Sequence, residues 1–435
     1  MRRRKAVLHF LCASVAIVVV LFMLIPAHEW RAGASGTGET NGEVIWNNTF
    51  GSERYDRGPS FQHAGDGLII AGWTQSYGAG DDDVWLLKTD AYGNEAWNRT
   101  FGGKESDKGF YIQSAGNGYM IVGVTYSYGA GGGDLWLIKT DLHGNELWNR
   151  TFGSTNYDKG YCMQKAPDGG YILLGMTYSY GFGKSDVWLI KVDESGDEIW
   201  NHTFGGSEPD VGFYVEGVDD GYIITGVTYS YGAGGGDLWL IKTDLYGNEL
   251  WNRTFGGASD DVGNAVVHTP DGGYLITGET HSFGAGKNDL WLLKTDAAGS
   301  ELWNRTFGGD DYDKGTFIRR TVDGNYIITG MTYSFGTGKN DVWLMEVDAS
   351  GKERWNSTFG GADYDIGFHV QQADDGSYII TGVTYSFGAG GGDLWLLRYV
   401  APTITPDDGS RIPGFGFSFF IGTVLCMLLL KRKKF

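Results

Sequence analysis

Proline and cysteine are both scarce, at 8 and 3 residues in a chain of 435. Little proline beside 72 glycines and 15% aromatic residues excludes a proline-rich disordered chain and suits many tight turns between packed strands. Cys12 and Cys426 fall in the apolar ends and Cys162 stands alone between them, so no disulfide framework is available. Positive charge is in deficit as well: 34 Lys and Arg against 53 Asp and Glu leave a net charge of −19. Both ends are basic, so the stretch between them is more acidic still, which excludes nucleic acid as the expected partner. There is also no G-x-S-x-G, no H-E-x-x-H and no phosphate-binding glycine loop.

The two ends are the only long apolar segments. Arg2-Arg3-Arg4-Lys5 precede an apolar run from Ala6 to Ile25, which directs export. Two fates fit residues 1–34: a cleaved signal with Ala32-Gly33-Ala34 as the small-residue site, or a retained anchor. The C-terminal run from Phe415 to Leu430 ends in Lys431-Arg432-Lys433-Lys434. The positive-inside rule then keeps both ends cytoplasmic and puts everything between them outside the cell membrane. Pro413-Gly414-Phe415, a short apolar run and a basic tip resemble the PGF-CTERM sorting tail of archaeal surface proteins. That resemblance covers 413–435 and implies cleavage near the motif and replacement by a lipid. The spacer 401–412 (APTITPDDGSRI) is shorter than the Thr-rich spacers of such tails, and an ordinary C-terminal helix is the alternative.

Between the ends the chain repeats itself. A Trp-Asn pair begins at 46, 97, 148, 200, 251, 303 and 355, a period close to fifty residues. Residues 125–153 and 228–256 differ only at His143 against Tyr246. In the unit from Asp158, KGYCMQKAP, YILLGMTYS, VWLIKVD and EIWNHTF read as strands, joined by turns (DGG, ESGD) and glycine-rich loops. Four such strands form an antiparallel meander with two apolar faces, and seven of them packed radially bury every face. The expected fold is therefore all-β, a seven-bladed β-propeller over 43–400 with apolar helices at both termini. The first fourth-strand copy, Glu43–Phe50, precedes any complete set, and the last set lacks one. Moving that N-terminal copy to the last blade closes the ring and leaves no bare edge. The repeat Trp and the Trp of D-[LV]-W (Trp85, Trp136, Trp188, Trp239, Trp291, Trp343, Trp395) are expected to pack between blades. Each could contribute roughly 4–6 kcal/mol of gross burial before entropy is counted.

The unit is similar to kelch-like and PQQ-type propeller repeats. Asp168 and Asp271 open DGGY turns of the kelch kind, while Asn117-Gly118-Tyr119 and Asp220-Gly221-Tyr222 are shorter. Quinoprotein dehydrogenases of that type use eight blades and in many cases a vicinal cysteine pair. Neither is present, so no such cofactor is expected.

In a meander the loop between the second and third strands and the blade-to-blade loop emerge at one end, which makes that end the expected ligand face. It offers Tyr126, Tyr128, Tyr178, Tyr180, Tyr229, Tyr231, Tyr333 and Tyr385 beside Asp56, Asp107, Asp158, Asp210, Asp261, Asp313 and Asp365. Rings beside carboxylates suit sugars, and the alternative is that they simply cover the blade tips. Calcium is the one metal considered, with Asp81, Asp82 and Asp83 as the densest cluster against an Asx-turn alternative. For an enzyme the asymmetric candidates are Glu279 and His281, with His268 nearby, against simple repeat drift. Asn47, Asn98, Asn149, Asn201, Asn252, Asn304 and Asn356 each open N-x-[ST], on a strand expected to be outermost. Together these features lead us to expect a surface propeller that binds a glycan or protein, the alternative being an enzyme acting on polysaccharide.

Overall fold

Each repeat folds as a four-stranded antiparallel meander in a computed structural model describing residues 42–403. The two terminal apolar segments, with the signal and tail motifs, lie outside those residues. Among the described residues no helix is long and apolar enough to cross a membrane. Six sheets are consecutive in sequence: β2–β5 (56–101), β6–β9 (107–152), β10–β13 (158–204), β14–β17 (210–255), β18–β21 (261–307) and β22–β25 (313–359). The seventh runs β1-β28-β27-β26, joining β1 (Glu43–Phe50) to the strands of residues 365–400. Each first strand (β2, β6, β10, β14, β18, β22, β26) lies against its counterparts in both neighbouring blades, and β26 meets β2. The ring of seven blades is therefore closed, with the first strands around the axis.

The second and third strands are buried along their whole length in most blades, as in Gly118–Thr125 and Asp186–Val192. Their runs of Ile, Leu and Val face a neighbouring blade on either side, so period-2 alternation is lost. The third-strand Trp residues are only 2–3% exposed, whereas the fourth strands alternate between half-buried and exposed. The repeat Trp packs between blades, as its recurrence requires. Trp97, on the fourth strand of the β2–β5 blade, meets Gly144, which turns the next blade from its third to its fourth strand, and Trp148 meets Gly196 in the same way.

Gly144 is needed twice over: its φ is +75°, and an added Cβ would lie 2.5 Å from the Trp97 ring. Gly116 has φ +57° but open space around it. Gly144→Ala is expected to lower stability by about 1–3 kcal/mol and Gly116→Ala by less, measured by urea unfolding. Equal losses would show that the Trp97 contact contributes nothing.

A bulge recurs in every first strand. In β6 the register skips Phe110 between Gly109 and Tyr111, and β10 skips Tyr161 in the same place. Such an extra residue leaves the ladder and is re-aimed, here toward the axis. The glycine of the second strand permits it: a Cβ on Gly123 would lie 1.9 Å from the Lys108 carbonyl oxygen.

Candidate functional site: the loop end and the channel mouth

The strand-entry Asp residues do not form a displayed acidic face. All seven are fully buried, and each is the first residue of its first strand rather than part of the loop. Asp158 accepts hydrogen bonds from Thr177 Oγ1, from Ser179 Oγ (2.5 Å) and from the Ser154 N–H (3.0 Å). The loop motif T-x-S thus exists to bind this carboxylate, and the Asp pins two loops of its blade. The Asp cluster of the first blade has similar tasks. Asp83 accepts the N–H groups of Ala79 (2.9 Å) and Gly80 (3.0 Å). Asp82 accepts from Gln75 and Ser106 and pairs with Lys108 at 3.2 Å, while Asp81 is exposed. Among the described residues no three His, Cys, Asp or Glu side chains converge as metal ligands.

The eight candidate tyrosines divide into two kinds. Tyr128, Tyr180 and Tyr231 donate their hydroxyls to the carbonyls of Gly102 (2.9 Å), Gly153 (3.1 Å) and Gly205 (2.9 Å). Their rings rest on Trp136, Trp188 and Trp239, so they clasp their own blade tips. The other tyrosines, Tyr229 excepted, meet rings carried by the blade-to-blade loops. Tyr126 stacks on Tyr157 at 5.8 Å, and Tyr157 touches Tyr178. A longer arc runs His281, Tyr312, Tyr333, Tyr364, Tyr385, Tyr55 and Trp73, with successive centroids 6.0–6.4 Å apart. Tyr229 donates its N–H to the carbonyl of Pro209, which stands where four blades carry a tyrosine. Tyr55, Tyr157, Tyr312 and Tyr364, each directly before a strand-entry Asp, were missed by sequence reasoning. Their signal was the residue type at that single repeat position.

Glu279, His281 and His268 are not brought together. β18 runs from Asp261 to His268, and its register pairs Val262 with Glu279 and His268 with Tyr274. His268 is therefore at the turn end of the blade, while Glu279 and His281 are at the loop end. Glu279 is also engaged, by Lys314 at 2.7 Å and by Asn288 Nδ2 at 2.7 Å. His281 is exposed against the Tyr312 ring. The proposed carboxylate with two imidazoles is thus corrected to an ion pair and two separate surface histidines.

The sequon asparagines carry a structural task. Nδ2 of Asn98, Asn149, Asn201, Asn252, Asn304 and Asn356 donates at 2.6 Å to the Glu three residues earlier. In four blades the Asn also accepts from a third-strand indole N–H, as Asn149 does from Trp136 at 3.2 Å.

The axial channel holds a cavity of about 360 Å³ near the loop end. The bulged residues Phe110, Tyr161, Phe213 and Phe368 form its walls, and Tyr111, Tyr214, Phe317 and His369 its floor. Just above the bulge each first strand offers one side chain at its second position: Arg57, Lys108, Lys159, Val211, Val262, Lys314 or Ile366. Four cations thus gather at the channel mouth of an acidic protein. This basic collar also went unread in the sequence, although a cation directly after the strand-entry Asp was visible in four repeats.

No family model matches this chain, and no curated protein matches it in sequence. Solved structures do resemble it. A quinohemoprotein alcohol dehydrogenase from Pseudomonas putida HK5 is 10% identical at a TM-score of 0.46, over 86% of this chain and 78% of that one. The phage phi92 endosialidase is 11% identical at 0.44, over 87% and 71%. The β-propeller domain of the trilobed protease from Pyrococcus furiosus is 11% identical at 0.42, over 80% and 94%. The propeller assignment stands on the strand order and register of the chain itself.

Proposed function

We propose that this protein is a cell-surface binding module that presents the loop end of its propeller to a glycan. The arc of rings from His281 to Tyr55 carries the reading. It spans parts of four blades, and Tyr312, Tyr364 and Tyr385 remain 37–40% exposed. Extended rows of half-exposed rings suit the apolar faces of successive sugars, whose hydroxyls can reach the charged rim. That rim is built: Lys287 pairs with Asp311 at 3.0 Å beside Tyr312, and Lys339 with Asp363 at 2.8 Å beside Tyr364. Export and anchoring at the membrane through residues 1–34 and 413–435, and glycans on the outer-strand sequons, belong to the same reading.

The test is a glycan array probed with the full-length chain and with a Tyr312→Ala/Tyr364→Ala variant. Saturable binding reduced at least tenfold in the variant, with unchanged melting temperature, is the expected result. Binding that survives the double substitution, or capture of protein ligands alone, would refute the glycan reading.

A further inference from the structure

Two cations of the channel mouth have carboxylate partners and two do not, Arg57 having only the Tyr55 hydroxyl. Lys108 pairs with Asp82 and Lys314 with Glu279. Arg57 and Lys159 occupy the same repeat position, yet no carboxylate among the described residues pairs with either. The Arg57 guanidinium lies 3.7 Å over the Phe368 ring and 5.0 Å from that of Trp73, and its buried Nε has no hydrogen-bond partner. The Lys159 ammonium sits 4.0 Å over Phe110 and 4.2 Å over Tyr161. Desolvation, followed by the nearby charges of Lys108 and Arg57, pulls its pKa down to about 8. Aromatic faces soften the burial of a cation but do not replace a counter-ion. In a chain with 53 acidic residues, two half-buried cations without one are conspicuous.

The cavity floor offers donors too. His369 is 2% exposed and its Nδ1 accepts the Phe61 N–H at 3.3 Å. Burial lowers its pKa to about 3, so the ring is neutral, its proton is on Nε2, and that N–H has no partner. The hydroxyls of Tyr111 and Tyr214 accept from Gln164 Nε2 at 3.2 and 3.3 Å and bond each other, which leaves one hydroxyl proton of the pair to give. The polar wall residues are already committed: Asn264 donates to the Gly315 carbonyl and Thr316 to that of Gly367.

We propose that the channel mouth binds a small organic carboxylate with a ring-like or apolar body. The carboxylate takes the charge of Arg57 and Lys159, and the body lies among Phe110, Tyr161, Phe213 and Phe368. An acceptor atom at the far end of the ligand meets the donors of the floor. At about 360 Å³ the cavity is at the small end of ligand sites and admits one ring rather than an oligosaccharide. The aromatic walls disfavour a fully hydrated inorganic anion, because they return few of the hydrogen bonds it would lose. This site adjoins the Trp73 end of the arc of rings through Arg57 and Phe110 but does not depend on glycan binding there.

The probe is 4-hydroxybenzoate, which has a carboxylate, a ring and a distal oxygen. Calorimetric titration of the full-length chain is expected to show one equivalent bound, with affinity falling at least tenfold in Lys159→Gln and in Arg57→Gln. If Arg57→Gln fails to fold, Lys159→Gln alone carries the comparison, and protection of the native chain against thermal unfolding by the probe gives a second readout. Glucuronate as competitor separates two sources of the same chemistry: preference for it would point to the acidic end of a glycan, preference for 4-hydroxybenzoate to a free aromatic acid. Displacement by inorganic phosphate at equal concentration would reduce the site to a simple anion hole and overturn the proposal. So would an absence of saturable binding of both carboxylates, or binding indifferent to both substitutions.

Discussion

A chain lacking residues 43–51 is expected to unfold far below the intact protein or to aggregate on expression. β1 is the only strand of its blade that comes from the other end of the sequence, and it pairs with β28 (Asp393–Val400) from Glu43 opposite Val400 to Phe50 opposite Leu394. Val44, Trp46 and Phe50 pack against the core clusters of the flanking blades. Trp46 meets Gly93 of the first blade, and Asn48 Nδ2 donates to the Gly93 carbonyl at 2.8 Å, so β1 ties the last blade to the first. Burial of the three apolar side chains contributes about 4–8 kcal/mol, comparable with the roughly 5–15 kcal/mol by which whole domains are stable. The deletion also bares the edge of β28, which invites pairing with another chain. Thermal unfolding followed by circular dichroism measures the loss, and a synthetic peptide of residues 42–52 added in trans should restore part of it. A melting temperature unmoved by the deletion would be incompatible with closure by β1.

This closure is legible in the sequence because it needs only counting. The fourth-strand motif occurs once ahead of the first complete set, and a ring has no other place for it. The inter-blade Trp residues were legible for the same reason: a large apolar residue at a fixed repeat position must face a surface that also repeats. What the repeat could not show is the surface where its copies differ. Arg57, Lys159 and Phe213 face the axis, where side chains of seven strands meet and no neighbour in sequence is a neighbour in space. The strand-entry Asp residues were misplaced because a polar residue before a strand reads as loop. Their burial depends on hydroxyls about twenty residues away, as with Asp158 and Ser179. The grouping of His268 with Glu279 was avoidable. Residues at the start and end of a hairpin's two strands lie at opposite ends of the blade, and strand direction alone separates them.

Stability is expected to fall as the pH rises from about 4 to about 7, the reverse of ordinary acid denaturation. The cause is a second ring of seven carboxylates, at the start of every third strand: Asp83, Asp134, Asp186, Asp237, Asp289, Asp341 and Asp393. Each is 1–2% exposed and adjoins the strand-entry Asp of the next blade across a glycine. At Gly360, for example, an added Cβ would strike Asp341 Oδ1 at 1.7 Å and Asp365 Oδ2 at 2.8 Å. Burial, and then the charge of that neighbouring Asp, raises the pKa at all seven positions. For Asp186, Asp289 and Asp341 it reaches about 6, from an ordinary 3.8. Between those values the folded chain holds protons that the unfolded chain has released. The stabilisation is therefore complete below the unfolded pKa and is lost as pH rises through the folded one. Each of the three sites contributes about 1–3 kcal/mol to the fall. Carboxylates with lowered pKa, such as Asp271 at about 2, act with the opposite sign but only at more acid pH. His369, held neutral with a pKa of about 3 against an ordinary 6.5, opposes the decline below about pH 6.5, but it is one group against seven raised carboxylates. Urea unfolding at steps from pH 4 to pH 7.5 should show the decline, and an Asp186→Asn/Asp289→Asn/Asp341→Asn variant should flatten it, because the amide stays neutral throughout. A wild-type profile that is level or rises over this range would mean that the paired carboxylates ionise freely inside the fold.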